Sequence, residues 1–115
     1  MAQEITTEEL KEKLDTGNVV LIDVLAAESY EARHIPGARS IPYGKDFIEQ
    51  FEEQIGVAKD AEIITYCASS GCQLSDLAAD ALEEAGYSNV GHYVEGLAGW
   101  KNAGYEFEES DVGEE

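Results

Sequence analysis

The segment that most constrains the fold runs from Ile63-Ile64-Thr65-Tyr66 through a cysteine-bearing loop into a helix that begins near Leu74. The four leading residues are β-branched or aromatic, and the run is too short for a helix, so they read as a buried strand. From Leu74 the apolar residues fall at Leu74, Leu77, Ala78, Ala81, Leu82 and Ala85, one face of a 3.6-residue period, with Gly86 at the position of a C-terminal cap. Between them lie Cys67, Ala68, Ser69, Ser70, Gly71, Cys72 and Gln73, small and polar apart from the two sulfurs. A cysteine that leaves a strand just before a helix N-terminus meets unpaired N–H groups and the positive end of the helix dipole. Both favour thiolate over thiol.

The flanking chain repeats the alternation of strand and helix. Thr6 and Glu9 form a capping box, Ile5 and Leu10 have the spacing of a hydrophobic staple, and Gly17 ends the helix they start. Val19-Val20-Leu21-Ile22, ending in Asp23, is continuous enough for a strand covered on both faces. A short helix is predicted over 28–33, stopped by the Pro36-Gly37 turn, and another after Asp46 with Phe47, Phe51 and Ile55 on one face. Residues 89–94 read as the last main strand and 97–100 as a short helix, after which Tyr105 and Phe107 dock the C-terminal end. The pattern implies an α/β domain over 1–108: three layers, with a small, mostly parallel sheet flanked by helices on both faces. Residues 109–115 are read as an acidic, flexible tail. Sites on such sheets gather at the carboxyl ends of strands, where Cys67 falls.

Charge narrows the function classes. The 115 residues carry 25 acidic and 7 basic side chains, a net −18. Polyanions would be repelled, so neither a nucleic acid nor an anionic membrane surface is expected as a partner. Few lysines beside abundant Asp and Glu suggest an acidic surface suited to molar salt, as in halophiles. No apolar run reaches membrane-spanning length, and the N-terminus lacks the basic and then apolar character of a signal peptide. These features predict a cytoplasmic chain whose two cysteines are reduced thiols.

Several segments together resemble the rhodanese-like family. Leu21-Ile22-Asp23-Val24 followed by His34-Ile35-Pro36-Gly37-Ala38 is similar to its N-terminal signature. Tyr66-Cys67, the loop, and Ser75 with Ala78, Ala79 and Leu82 resemble its active-site region. Gly86-Tyr87, Asn89-Val90, Glu95-Gly96-Leu97, Trp100 and Ala103-Gly104-Tyr105 resemble its C-terminal signature. The resemblance implies a small α/β domain and sulfur transfer, with Cys67 taking a sulfane sulfur as a persulfide. Three features depart from the family pattern: Leu25 in place of a common arginine, Arg33 in place of a common glycine, and a loop about two residues longer that contains no arginine.

A free cysteine at a strand end is by itself more often an inert buried thiol. The loop, the helix N-terminus and the resemblance turn Cys67 into the expected nucleophile, with the amides of residues 68–73 binding the substrate anion. Cys72 has two readings, a small residue in the first helical turn or a resolving thiol that closes a transient disulfide. His34 and His92 are read as packed, hydrogen-bonded histidines and Trp100 as core. The cysteines and histidines match no tight zinc-ligand spacing, so neither metal nor cofactor is expected. The expected partners are a small sulfur donor, thiosulfate or a persulfide, and a thiol or cyanide acceptor, with a sulfur-relay protein as a further candidate. The alternative is a non-catalytic interaction or sulfur-carrier module. A phosphatase or arsenate reductase would need a bidentate arginine, and no Lys or Arg occurs between Asp60 and Trp100.

Overall fold

The computed structural model describes residues 3–17, 19–68 and 73–108. In chain order these form β1 (Gln3–Ile5), α1 (Thr7–Thr16), β2 (Val20–Asp23), α2 (Ala27–Ala32), β3 (Arg39–Ser40), α3 (Phe47–Gln54), β4 (Ile63–Tyr66), α4 (Leu74–Glu84), β5 (Val90–Tyr93) and α5 (Gly96–Asn102). The described strands make one sheet in the order β1-β5-β4-β2-β3, with every pair parallel. The strand that carries Cys67 at its carboxyl end is therefore the central one. No helix among the described residues is long and apolar enough to cross a membrane.

Because successive strand residues point to opposite faces, the core divides into two clusters by parity. Ile22, Ile63, Cys67 and Val90 pack on one face with Phe47 and Phe51 of α3 and with Ala78, Ala79 and Leu82 of α4. Leu21, Ile64, Tyr66 and Tyr93 pack on the other with Leu10 of α1 and with Leu97 and Trp100 of α5. These are the three layers the alternation implied.

Local signals account for the helix ends. The Thr6–Glu9 capping box forms in both directions, Ile5 and Leu10 are both buried, and Gly17 caps α1 with φ +77°. At the end of α4, the N–H of Gly86 donates to Glu83 O and that of Tyr87 to Leu82 O, the paired bonds of a Schellman cap. Asp46 stands at the start of α3 but makes no side-chain capping bond. Tyr105 packs on Trp100 with ring centroids 4.7 Å apart, and the Trp100 indole N–H donates to Glu106 O at 2.9 Å, which docks the C-terminal end as expected.

Two expectations change. The buried stripe of α4 is Ser75, Ala78, Ala79 and Leu82, whereas Leu77 is 45% exposed and Leu74 also faces solvent. Close packing on the sheet selects Ser75, Ala78 and Ala79 beside Leu82 for the inner face and turns Leu74 and Leu77 outward. The strands β1 and β3 have no counterpart among the elements expected from the sequence. At three and two residues they are too short to show a period, and they exist only as partners of β5 and β2. The proposed tail at 109–115 lies outside the described residues.

Candidate functional site

Strand parity brings the site together. Thr65 and Cys67 lie two apart on the line of β4, and His92 is the register partner of Thr65 on β5. All three belong to the face covered by α4, whose first turn delivers Ser75. The Thr65 hydroxyl donates to Ser75 O at 2.8 Å, which fixes that turn against the sheet. Ser75 Oγ then lies 3.4 Å from Cys67 Sγ and 2.7 Å from His92 Nε2. Nδ1 of His92 faces Asp76 Oδ1 at 3.9 Å. Cys67 and Ser75 are each 1% exposed, and the His92 side chain is 13% exposed.

The backbone at Cys67 is held from the opposite side. Cys67 O accepts from the N–H of Leu97 at 3.0 Å, and Ala68 O from that of Ala98 at 2.9 Å. The two donors belong to the first turn of α5, where N–H groups have no intrahelical partner. This approach requires Gly96: its φ is +62°, and a Cβ there would overlap the Cys67 carbonyl.

Behind the site, Asp23 and Tyr66 form a buried pair. The Tyr66 hydroxyl donates to Asp23 Oδ2 at 2.7 Å and accepts from the Ile35 N–H at 3.1 Å, while Asp23 Oδ1 accepts from the Leu25 N–H at 2.9 Å. Burial, opposed by these hydrogen bonds, raises the Asp23 carboxyl above its ordinary value. Burial, and then the neighbouring carboxylate, pushes Tyr66 far above the usual phenol range. Tyr66 packs on the face of the sheet opposite that of Cys67, and Asp23 is its register partner.

Cys67 is disulfide-bonded, which overturns the expectation of two reduced thiols, and its burial differs from the ionised, reachable sulfur expected of this position. Ser69, Ser70, Gly71 and Cys72, four of the six expected substrate-binding residues, lie outside the described residues, while Ala68 and Gln73 flank them, both exposed. His34 is the packed histidine expected of it: Nδ1 is 2.9 Å from Tyr30 O, and the ring stacks on Tyr30 at 3.9 Å. His92 is satisfied, as expected, and its partner is Ser75, which places it behind the sulfur. Ser75 is marked in the sequence as the one polar residue in the Ser75-Ala78-Ala79-Leu82 stripe, whereas only the β4–β5 register sets His92 beside Thr65. A cleft of about 440 Å³ between α1 and α5, lined by Lys11, Leu14, Pro36 and Trp100, lies on the other side of the sheet and holds none of these groups.

The family profile described as "Rhodanese-like domain" matches residues 6–103. An HTH-type transcriptional regulator of Mycobacterium tuberculosis is 33% identical over 105 residues, covering 91% of this chain and 44% of the relative. YrkF of Bacillus subtilis, named as a candidate sulfur carrier protein, is 32% identical over 98 residues, 84% of this chain and 50% of its own length. The chain thus spans half or less of the curated relatives it matches. A crystal structure titled thiosulfate sulfurtransferase from Pseudomonas aeruginosa superposes with a TM-score of 0.82 at 25% identity, covering 95% of this chain and 20% of that one.

Proposed function

This chain belongs to the rhodanese-like domain family, and from that premise we propose that it is a sulfurtransferase in which reduced Cys67 carries a sulfane sulfur as a persulfide. With thiosulfate as donor, the thiolate attacks the outer sulfur, the S–S bond breaks, and sulfite leaves with the electron pair. An acceptor thiolate or cyanide then attacks the outer sulfur of the persulfide. The bond to Cys67 Sγ breaks and its electron pair returns to Cys67 as thiolate, so the cycle needs no external oxidant. The oxidised Cys67 enters this cycle once a thiol reductant has opened its disulfide. The amides of Ala68, Ser69, Ser70, Gly71, Cys72 and Gln73 are assigned to the donor's anionic oxygens. Cys72 is assigned as the resolving thiol: it attacks Sγ of the persulfide, hydrosulfide leaves, and a disulfide forms.

The observation that carries this reading is the position of Cys67 at the carboxyl end of the central strand, with its sulfur against a buried hydroxyl. A second reading, a sulfur carrier or interaction module without turnover of its own, draws on the name of YrkF and on the 1% exposure of Cys67. Intact-mass analysis after reduction, thiosulfate and then cyanide distinguishes them. The sulfurtransferase gains one sulfur, loses it to cyanide with release of thiocyanate, and repeats the cycle, whereas Cys67→Ala gains nothing. Loading without turnover selects the carrier. Sulfur uptake by the Ala variant would move the nucleophile to Cys72.

A further inference from the structure

We propose that Ser75 and His92 set the ionisation of Cys67, supplying the charge that this cation-free stretch of chain otherwise lacks. The inference rests on Cys67 being the nucleophile and adds the groups that make its thiolate tenable. A thiolate with 1% exposure requires donors and a compensating charge. No Lys or Arg occurs between Asp60 and Trp100, so His92 is the one side chain of that stretch able to become cationic.

The distances order the protons. When Ser75 Oγ–H donates to Cys67 Sγ at 3.4 Å, its oxygen accepts from His92 Nε2–H at 2.7 Å. The second ring nitrogen, Nδ1, then presents its N–H toward Asp76 Oδ1, 3.9 Å away. An imidazolium has both N–H groups this arrangement uses, and its charge reaches the sulfur through one hydroxyl. Among the described residues, Asp76 on α4 faces the His92 ring, Glu4 on β1 is its register partner, and its partner on β4, Thr65, is neutral. Ser75 touches the reacting sulfur and is a catalytic residue, and His92 acts through it as a positioning residue. The same bonds serve both half-reactions, since Cys67 is attacking thiolate in the first and leaving thiolate in the second.

The test is the pH profile of Cys67 alkylation by iodoacetamide from pH 5 to 9. It uses the reduced full chain and peptide mass spectrometry that separates Cys67 from Cys72. Ser75→Ala and His92→Gln, which keeps a donor but cannot be charged, each move the half-point upward by about one pH unit. That corresponds to roughly tenfold slower labelling on the rising limb. Ser75→Thr restores the wild-type profile, and the double variant shifts no further than either single one, as for groups acting in series. A His92→Gln profile that overlays wild type, with the fold verified by circular dichroism, overturns the inference. So does a double variant whose shift is the sum of the two. Alkylation needs no sulfur donor, so a shifted profile in a protein that never loads sulfur leaves this inference standing and removes the sulfurtransferase. Sulfur loading with an unmoved profile does the reverse.

Discussion

The Tyr66 hydroxyl donates to Asp23 Oδ2 at 2.7 Å inside the protein, tying together the carboxyl ends of the neighbouring strands β4 and β2. Tyr66→Phe removes that bond and leaves the Ile35 N–H without its acceptor. Loss of the hydrogen bond to Asp23, plus one orphaned amide, lowers stability by about 3 kcal/mol. Urea unfolding followed by circular dichroism measures it, and an unchanged midpoint would show the pair contributes nothing.

The same tyrosine predicts an alkaline limb. Its folded-state pKa lies above the unfolded value of 10.0, so the folded protein keeps a proton that the unfolded chain releases. The stability this contributes is fully present below pH 10 and is lost as pH rises beyond it, by about 1.4 kcal/mol per pH unit. Tyr30, Tyr87 and Tyr93 are raised in the same direction, burial being the first cause for each. Stability therefore falls above pH 10 in the wild type, and more gently in Tyr66→Phe. Parallel curves for the two proteins would contradict the assignment.

Gly96 fixes how closely α5 approaches the Cys67 carbonyl. Gly96→Ala places a Cβ on that oxygen in a left-handed conformation that L-residues resist. Strain and overpacking together cost about 3 kcal/mol, seen as a lower urea midpoint. Because relief of the overlap moves Cys67, sulfur loading slows even in variant protein that remains folded.

Two leucines of one helix should behave oppositely. Leu82→Ala empties a fully buried position and costs about 3 kcal/mol. Leu77→Asp, on the exposed side of α4, changes stability by no more than about 0.5 kcal/mol. Comparable losses for both would restore the helical face inferred from spacing alone.

A net charge of −18 on 115 residues predicts a response to salt. The Debye length is about 10 Å at 0.1 M and about 3 Å at 1 M. Raising KCl over that range screens self-repulsion and admits an anionic donor, so the unfolding midpoint and the rate of sulfur loading from thiosulfate both rise. A steady fall in loading with salt, with the fold intact, removes the argument for an acidic surface adapted to molar salt.

Short-range rules carried much of this structure. The Thr6–Glu9 box, Gly17, Gly86 and the strand 63–66 each declare themselves within a few residues, because caps, turns and periodicity are local physics. The order of elements likewise implies a parallel sheet covered on both sides. β1 and β3 leave no mark in the sequence because a strand of two or three residues has no period and is defined by its neighbour.

At Cys67 the division is sharper. Linear order alone marks it as the residue after the buried strand and before a helix, in a stretch with no cation. Its burial, its disulfide, and its contact with Ser75 depend on which face of α4 meets the sheet and on the register that sets His92 beside Thr65. Spacing along one helix leaves several faces open when alanines and leucines alternate. The choice among them is made by how closely the helix can pack, which involves residues far apart in the chain.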